Sequence, residues 1–259
     1  MEQINSKSNP KIKEVKKLLE RKNRNKEKKF LVEGFRFLDE ALKSNYELQY
    51  IMVDEALVQK WEEFKLKFQE RINCDVVLVE SKLFGELCET QTPQGVLGVV
   101  NYLEEKLEVK DGVYVLLDKI QDPGNMGTII RSVHACGFNG IITTKGTVDT
   151  YNGKTLRSTM GSVFRVPIVE DCDLSIIEKL KNKGYKFIVS TLEDSVDFYD
   201  SDLRGNIVIV IGNEGNGVSK EIMNIADIKV RIPMPGGSES LNAGVAASVM
   251  MYEALRQRR

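Results

Sequence analysis

The chain has 259 residues, 42% of them hydrophobic and 29% charged, with a formal net charge of −1; this is enough apolar material for a sizeable core in one large domain or two small ones. It holds no apolar run of about 18 residues, and its start, MEQINSKSNPKIKEV, has no apolar stretch leading to a small-residue cleavage site, so neither a membrane span nor a secretory leader is expected and the cytoplasm is the expected compartment. Four cysteines without a CxxC pair, and His134 as the sole histidine, weigh against a zinc site and against a Ser-His-Asp hydrolase and point to reduced, mostly buried thiols.

Residues 1–30 carry eleven Lys or Arg against four Asp or Glu. Such a basic end either supplies phosphate contacts to nucleic acid or forms a solvated face. Ile12, Val15, Leu18 and Leu19 follow a helical stripe that Pro10 starts. Arg21–Lys29 (RKNRNKEKK) has no apolar anchor and reads as a mobile loop. Phe30–Val32 is a strand candidate, Gly34 precedes a helix with Phe37, Leu38, Ala41 and Leu42 on one side, and Leu48–Val53 is a strand. Trp61, Phe64 and Phe68 share helical spacing; Asp75–Val79 reads as a strand, Lys82–Cys88 as a short helix and Gln94–Val100 as a strand. Residues 103–112 are charged and serve as a linker.

A second βα series follows. Strands are expected at Val113–Leu117, Ile141–Thr143, Phe187–Thr191, Ile207–Ile211 and Lys229–Ile232, as near-continuous apolar runs typical of a parallel sheet covered on both faces. Helices are expected at Gly127–Cys136, Leu174–Lys183, Lys220–Ile225 and Asn242–Arg256. The last is apolar around much of its circumference, which suits a core or a subunit interface.

Three segments carry chemistry. In DKIQDPGNMGTIIR (118–131), glycines and a proline turn the chain from a strand into a helix whose free N–H groups favour anions. Asn125 sits in that turn, either for ligand contact or for its tolerance of unusual backbone angles, and Arg131 lies about one turn into the helix. In IVIVIGNEGNGVS (207–219), three glycines let the backbone approach a ligand closely; their GxxGxG spacing after a late strand is not the dinucleotide fingerprint, and Glu214 suits a cation or guanidinium better than a phosphate. In IPMPGGSESLN (232–242), a Pro/Gly loop enters the last helix with Ser240 as its expected N-cap. From the residues alone, a nucleotide-dependent enzyme on an open sheet and a non-catalytic RNA-binding module both stay open; the missing first-strand GxGxxG weighs against the former.

The order and identity of DPGNMGTIIRS, IVIVIGNEGNGVS and IPMPGGSESLNAGVAASVMMYEALRQR resemble the SpoU/TrmH branch of the SPOUT RNA 2′-O-ribose methyltransferases over residues 113–259. SNPKIKEVKKL, FLVEGFRFLDEAL and TPQGVLGVV are similar, more loosely, to that family's N-terminal substrate-binding domain.

The resemblance implies an α/β fold in two domains. Residues 1–105 would form a small α/β unit like certain ribosomal proteins, and residues 106–259 a catalytic α/β domain with a deep trefoil knot. It implies S-adenosylmethionine as methyl donor, with Gly212, Ile232 and Leu241 at the family's cofactor positions and Thr191, Leu192 and Met234 as further lining residues. It places catalytic and substrate roles on Asn125, Arg131, Glu214, Ser240 and Asn242. The reaction implied is attack of a ribose 2′-hydroxyl on the sulfonium methyl, so the protein's tasks are alignment and removal of a proton. Arg131 would either take that proton or hold the adjacent phosphate and the developing alkoxide; a free guanidinium, with a pKa above about 12, makes the second role physically easier. Glu214 would orient Arg131, and Ser240 and Asn242 would complete the hydrogen bonds around ribose and cofactor. Ribosomal RNA of the large subunit is the first expected substrate and transfer RNA the second. A homodimer through the knot and last helix is also implied.

Overall fold

The computed structural model describes residues 1–103 and 108–259, so positions 104–107 of the expected linker lie outside the described residues. The chain forms two compact units: residues up to 103 together with Tyr151–Arg157, and the described remainder.

In chain order the first unit contains β1 (Glu2–Ile4), α1 (Pro10–Leu18), α2 (Arg21–Glu27), β2 (Lys29–Glu33), α3 (Phe35–Leu42), β3 (Leu48–Asp54), α4 (Val58–Lys67), β4 (Asp75–Val79), α5 (Ser81–Gly85) and β5 (Val96–Asn101). The sheet runs β1-β4-β3-β5-β2; β1, β4 and β3 are parallel, and β5 is antiparallel to both its neighbours. α1 starts where the Asn9 side chain accepts from the Lys11 N–H, with Pro10 in the first turn, and it buries the expected stripe of Ile12, Val15 and Leu18.

Arg21–Lys29 is not a mobile loop. It forms α2 and the start of β2, and Lys28 caps α2 in the left-handed region (φ 54°). The anchor is Arg24, only 5% exposed, which donates to the carbonyls of Leu18 (2.6 Å) and Leu19 (2.7 Å). These carbonyls end α1 and lack helical partners, so a buried guanidinium replaces the apolar residue that periodicity looks for. Lys22, Lys26 and Lys28 remain exposed.

The second unit contains β6 (Val113–Asp118), α6 (Pro123–Cys136), β7 (Gly140–Thr143), the end of α7 (Gly153–Thr159), β8 (Ile168–Val169), α8 (Leu174–Asn182), β9 (Lys186–Ser190), β10 (Val196–Asp197), β11 (Ile207–Gly212), α9 (Lys220–Met223), β12 (Ile228–Arg231) and α10 (Ala243–Gln257). All pairs in its sheet, ordered β10-β12-β9-β11-β6-β7-β8, are parallel. One face packs Val115, Leu117, Ile209 and Ile211 with Met126, Ile130, Ala247 and Met251 of α6 and α10. The other packs Tyr114, Leu116, Val208 and Val210 with Ile177, Leu180 and Ile222 of α8 and α9. Alternate residues of each strand thus face two apolar layers, which is why the strands read as continuous apolar runs.

β12 follows β11 in sequence but lies beyond β9, so the chain crosses over after β11. Because every strand is parallel, Asp118, Thr143, Ser190, Gly212 and Arg231 end on one edge of the sheet, where ligands of open α/β sheets bind. No described helix is long and apolar enough to cross a membrane. All four cysteines are free; Cys136 is buried and the other three are half-buried rather than buried as expected. Burial pushes their thiols up, to about 11 for Cys74, Cys136 and Cys172 and about 12 for Cys88, so they are protonated and poor nucleophiles at neutral pH.

Candidate functional site

The site is built on that carboxyl edge. Asp118 closes the apolar run of β6 as a buried carboxylate, accepting from Thr144 Oγ1 (2.8 Å) and from the Ser219 N–H (2.6 Å). One side chain therefore ties the end of β6 to the loops after β7 and β11. Asp122 then caps α6 by accepting from the Asn125 N–H (2.9 Å), with Pro123 in the first turn. The helix consequently begins at Pro123, ahead of the expected Gly127, and Asn125 sits in its first turn rather than in the preceding loop. Gly127 packs within the helix, where a β-carbon would collide with Ser158.

Asn125 is 7% exposed, and its Nδ2 donates to Glu214 Oε1 at 2.9 Å. The same carboxylate accepts from the N–H groups of Gln121 (3.1 Å) and Asp122 (3.2 Å). Partial burial works against the charge of Glu214, but the donations from Asn125 and the backbone outweigh it and hold the carboxyl below the usual carboxylate range. Glu214 is thus an ionised acceptor that locks the entry of α6 to the loop after β11.

Glu214 does not orient Arg131, as the sequence reading expects. Arg131 lies further along α6, exposed, with no hydrogen bond or ion pair among the described residues. It lines an open groove of about 550 Å³ with Thr128, Ser132, His134, Ala135, Ser162 and Tyr252. The donors that the fold brings against the carboxylate, the Gln121 and Asp122 N–H groups ahead of α6 and the Asn125 amide, satisfy it instead.

The glycines after β11 serve the chain's own turn first. A β-carbon on Gly212 would collide with the backbone of Gly217 and Val218, because Asn213 and Gly217 pair across the loop. Asn213 shapes it further: Oδ1 accepts from the N–H groups of Gly215 and Asn216, and Nδ2 donates to the Lys119 carbonyl at 2.8 Å. Beyond β12, Ile232 and Met234 are half-buried, while residues 235–242 are exposed and Gly236 and Gly237 have open space around them. The N-cap of α10 is Asn242, accepting from the N–H groups of Gly244 (3.0 Å) and Val245 (3.2 Å), not Ser240, whose carbonyl accepts from Ser238 Oγ (3.0 Å) within the loop. Ser240 lies too early: the helical turn starts only at Ala243. At the end of β9, Thr191 donates its N–H to the Val230 carbonyl and Leu192 is exposed.

The expected catalytic residues therefore fall into three places. Asn125 and Glu214 are in contact, Arg131 stands apart on α6, and Ser240 and Asn242 share an exposed loop with no hydrogen bond to the pair. The expected cofactor positions Thr191, Leu192, Gly212, Ile232 and Met234 lie at or just past the ends of β9, β11 and β12, and Leu241 lies in the exposed loop just ahead of α10. None of the six carries a cation. Apolar side chains and backbone groups, with an ionised carboxylate on the same edge, suit an uncharged nucleoside and a sulfonium and do not suit a polyphosphate. Asp118, Gln121 and Asn213, which hold the loops, went unmarked in the sequence; the acidic residue ending the apolar run VYVLLD is the one signal there for Asp118.

Comparison with known proteins bears on the family of the chain. Residues 112–252 match the model of the SpoU rRNA Methylase family, and residues 9–98 match the MRM3-like substrate binding domain. The 23S rRNA (guanosine(2553)-2′-O)-methyltransferase RlmP of Bacillus subtilis is 36% identical over 252 residues, covering 97% of this chain and 98% of that protein. The AdoMet-bound rRNA methyltransferase of Sinorhizobium meliloti superposes with a TM-score of 0.85 at 30% identity, covering 98% of this chain and 97% of that one. The SpoU methyltransferase AviRb of Streptomyces viridochromogenes, solved with AdoMet, superposes with a TM-score of 0.88 at 29% identity, covering 96% and 98%. With three glycine- and proline-rich loops converging on one edge of a parallel sheet, and with matches spanning both of its units, the chain belongs to the SpoU rRNA methylase family.

Proposed function

We propose that this protein methylates a ribose 2′-hydroxyl of large-subunit ribosomal RNA, using S-adenosylmethionine bound at the ends of β9, β11 and β12. The observation that carries this reading is the set of apolar side chains and backbone groups at the six expected donor positions, none of them a cation, with the ionised Glu214 on the same edge. It fits the donor, and the RlmP relative, matched over 98% of its length, is named as a 23S rRNA 2′-O-methyltransferase. The donor supplies an electrophilic methyl group on a good leaving group, which leaves alignment and proton removal to the protein.

Thr191, Leu192, Gly212, Ile232, Met234 and Leu241 hold the donor through backbone groups and apolar contact. The Asn125–Glu214 pair fixes the start of α6, and Ser240 and Asn242 offer hydrogen-bonding groups at the exposed end of the third loop. Arg131 has no hydrogen bond or ion pair among the described residues and is placed to hold the phosphate beside the target ribose and the developing alkoxide. The N-terminal unit carries the substrate, with Lys22, Lys26 and Lys28 of the α2 region as phosphate contacts.

The crossover after β11 supports a chain threaded into a trefoil knot around the donor. Val245 and Tyr252 are 47% and 52% exposed on α10. With half-buried Val249 they make an apolar stripe at helical spacing, on a helix whose opposite side is core, and this stripe supports a homodimer. The protein acts in the cytoplasm. Sedimentation is expected to give a dimer for the wild type and a monomer for Tyr252→Glu; a monomeric wild type would remove the dimer.

The test of function is incubation with labelled S-adenosylmethionine and unmodified 23S rRNA or tRNA transcripts, followed by mass-spectrometric mapping. A ribose methyl group in 23S rRNA is expected. Label only in tRNA would move the target, and no transfer to either would overturn the reading.

A further inference from the structure

Lys119 follows the last residue of β6 and sits in the left-handed region at φ 58°. An L-residue with a β-carbon is disfavoured there, and glycine or asparagine takes the conformation more easily. The surroundings hold it in place. Its N–H donates to Thr144 Oγ1 (3.1 Å), and its carbonyl accepts from Gln121 Nε2 (3.1 Å) and Asn213 Nδ2 (2.8 Å). Every backbone group is satisfied, so the turn is fixed by its neighbours and the residue type is free to serve something else.

The side chain runs across the next loop. Its Cγ lies 3.8 Å from where a β-carbon would stand on Gly146, and Gln121 Nε2 also donates to the Gly146 carbonyl (2.7 Å), binding the two loops together. Lys145 precedes that glycine and is exposed, as Lys119 is. Neither ammonium has a hydrogen bond or an ion pair among the described residues. The nearby carboxylates are otherwise engaged: Asp118 by Thr144 and Ser219, and Glu214 by Asn125 and two N–H groups. Two unpaired lysines are thus held on adjoining, bonded loops, one of them in a disfavoured conformation, at the carboxyl edge that carries the candidate site.

We infer that Lys119 and Lys145 together take an RNA backbone phosphate near the target nucleotide and so position the substrate strand on the rim of the site. This rests on the RNA-methyltransferase reading above. Like charges on neighbouring loops repel when unliganded, and an anion bridging them removes that repulsion and releases counterions from the RNA.

The experiment measures affinity for an unmodified 23S rRNA transcript as a function of salt, affinity for S-adenosylmethionine by calorimetry, and the thermal midpoint. Lys119→Gly is expected to raise the midpoint, because glycine relieves the backbone, while weakening RNA binding at least about threefold. It should also flatten the slope of log affinity against log salt by about 0.7–0.9, the value of one phosphate contact. Lys145→Ala should weaken RNA binding similarly, and Lys119→Arg should keep most of it. RNA affinity and salt slope unchanged in both Lys119→Gly and Lys145→Ala would overturn the inference. So would a parallel loss of S-adenosylmethionine affinity, which would assign the lysines to the donor's carboxylate instead. A wild-type protein with no affinity for the transcript would overturn the RNA reading and this inference with it, whereas binding that ignores the lysines would sink the inference alone.

Discussion

Replacing Arg131 by alanine is expected to lower methyl transfer by about 10²- to 10⁴-fold, the range for losing a group that acts on the transferred proton or developing charge, with stability unchanged. Both parts come from where the side chain stands. It is exposed and has no hydrogen bond or ion pair among the described residues, so truncation leaves no buried partner unsatisfied there. Substitutions of that kind usually shift stability by no more than about 0.5 kcal/mol. Kinetics at saturating S-adenosylmethionine and urea unfolding of both proteins check the two parts separately. Arg131→Lys separates the roles further. A lysine keeps the charge but not the planar fork that grips a phosphate through two bonds, so activity should recover only in part. Full activity of Arg131→Ala would remove this residue from the chemistry.

The opposite signature is expected at Glu214. Glu214→Ala should cost both stability, by about 1–3 kcal/mol, and activity, because it strands the buried Asn125 amide and two N–H groups at the start of α6. Asn125→Ala should cost less, since the carboxylate keeps its two backbone donors. The double variant should show a coupling of about 0.5–3 kcal/mol, as expected for groups in one network. The effect also carries a pH sign. The folded carboxyl is held below its ordinary value, so its contribution is present above the unfolded carboxylate's pKa, about 4.3, and fades as pH falls through the folded value. The stability gap between wild type and Glu214→Gln should therefore be widest near neutrality and close in acid. A gap that stays constant with pH, or one that widens in acid, would show that the charge is not what holds the loop.

These contrasting signatures revise the roles that the sequence motifs support. DPGN and GNEG follow the ends of β6 and β11 on the carboxyl edge of the second sheet, and SESLN lies in the exposed loop between β12 and α10. Within that edge, Glu214 serves Asn125 and the α6 entry rather than Arg131. The glycines of the second motif accommodate the loop's own backbone, and Asn242 rather than Ser240 caps α10. Each difference is a question of which donor lies nearest in space to a given acceptor, and linear spacing does not contain that distance.

The sequence by itself determined the main βα succession of both halves. Buried parallel strands must be apolar at every position, and amphipathic helices must repeat at their own period, so both leave a mark that can be read along the chain. The elements it did not reveal have no such mark. β1, β8 and β10 are only two or three residues long, α7 spans seven residues with Leu156 as its one apolar side chain, and α2 has no apolar residue because its anchor is a guanidinium satisfied by carbonyls of α1. Only the tertiary structure decided the strand order, with β11 inserted between β9 and β6 and β12 set beyond β9. It also decided the pairing of Asn125 with Glu214 and the two unpaired lysines on the rim. Strand order and side-chain partners follow from which surfaces meet after the chain crosses over, and residues as far apart as 125 and 214 carry no local sign of that meeting.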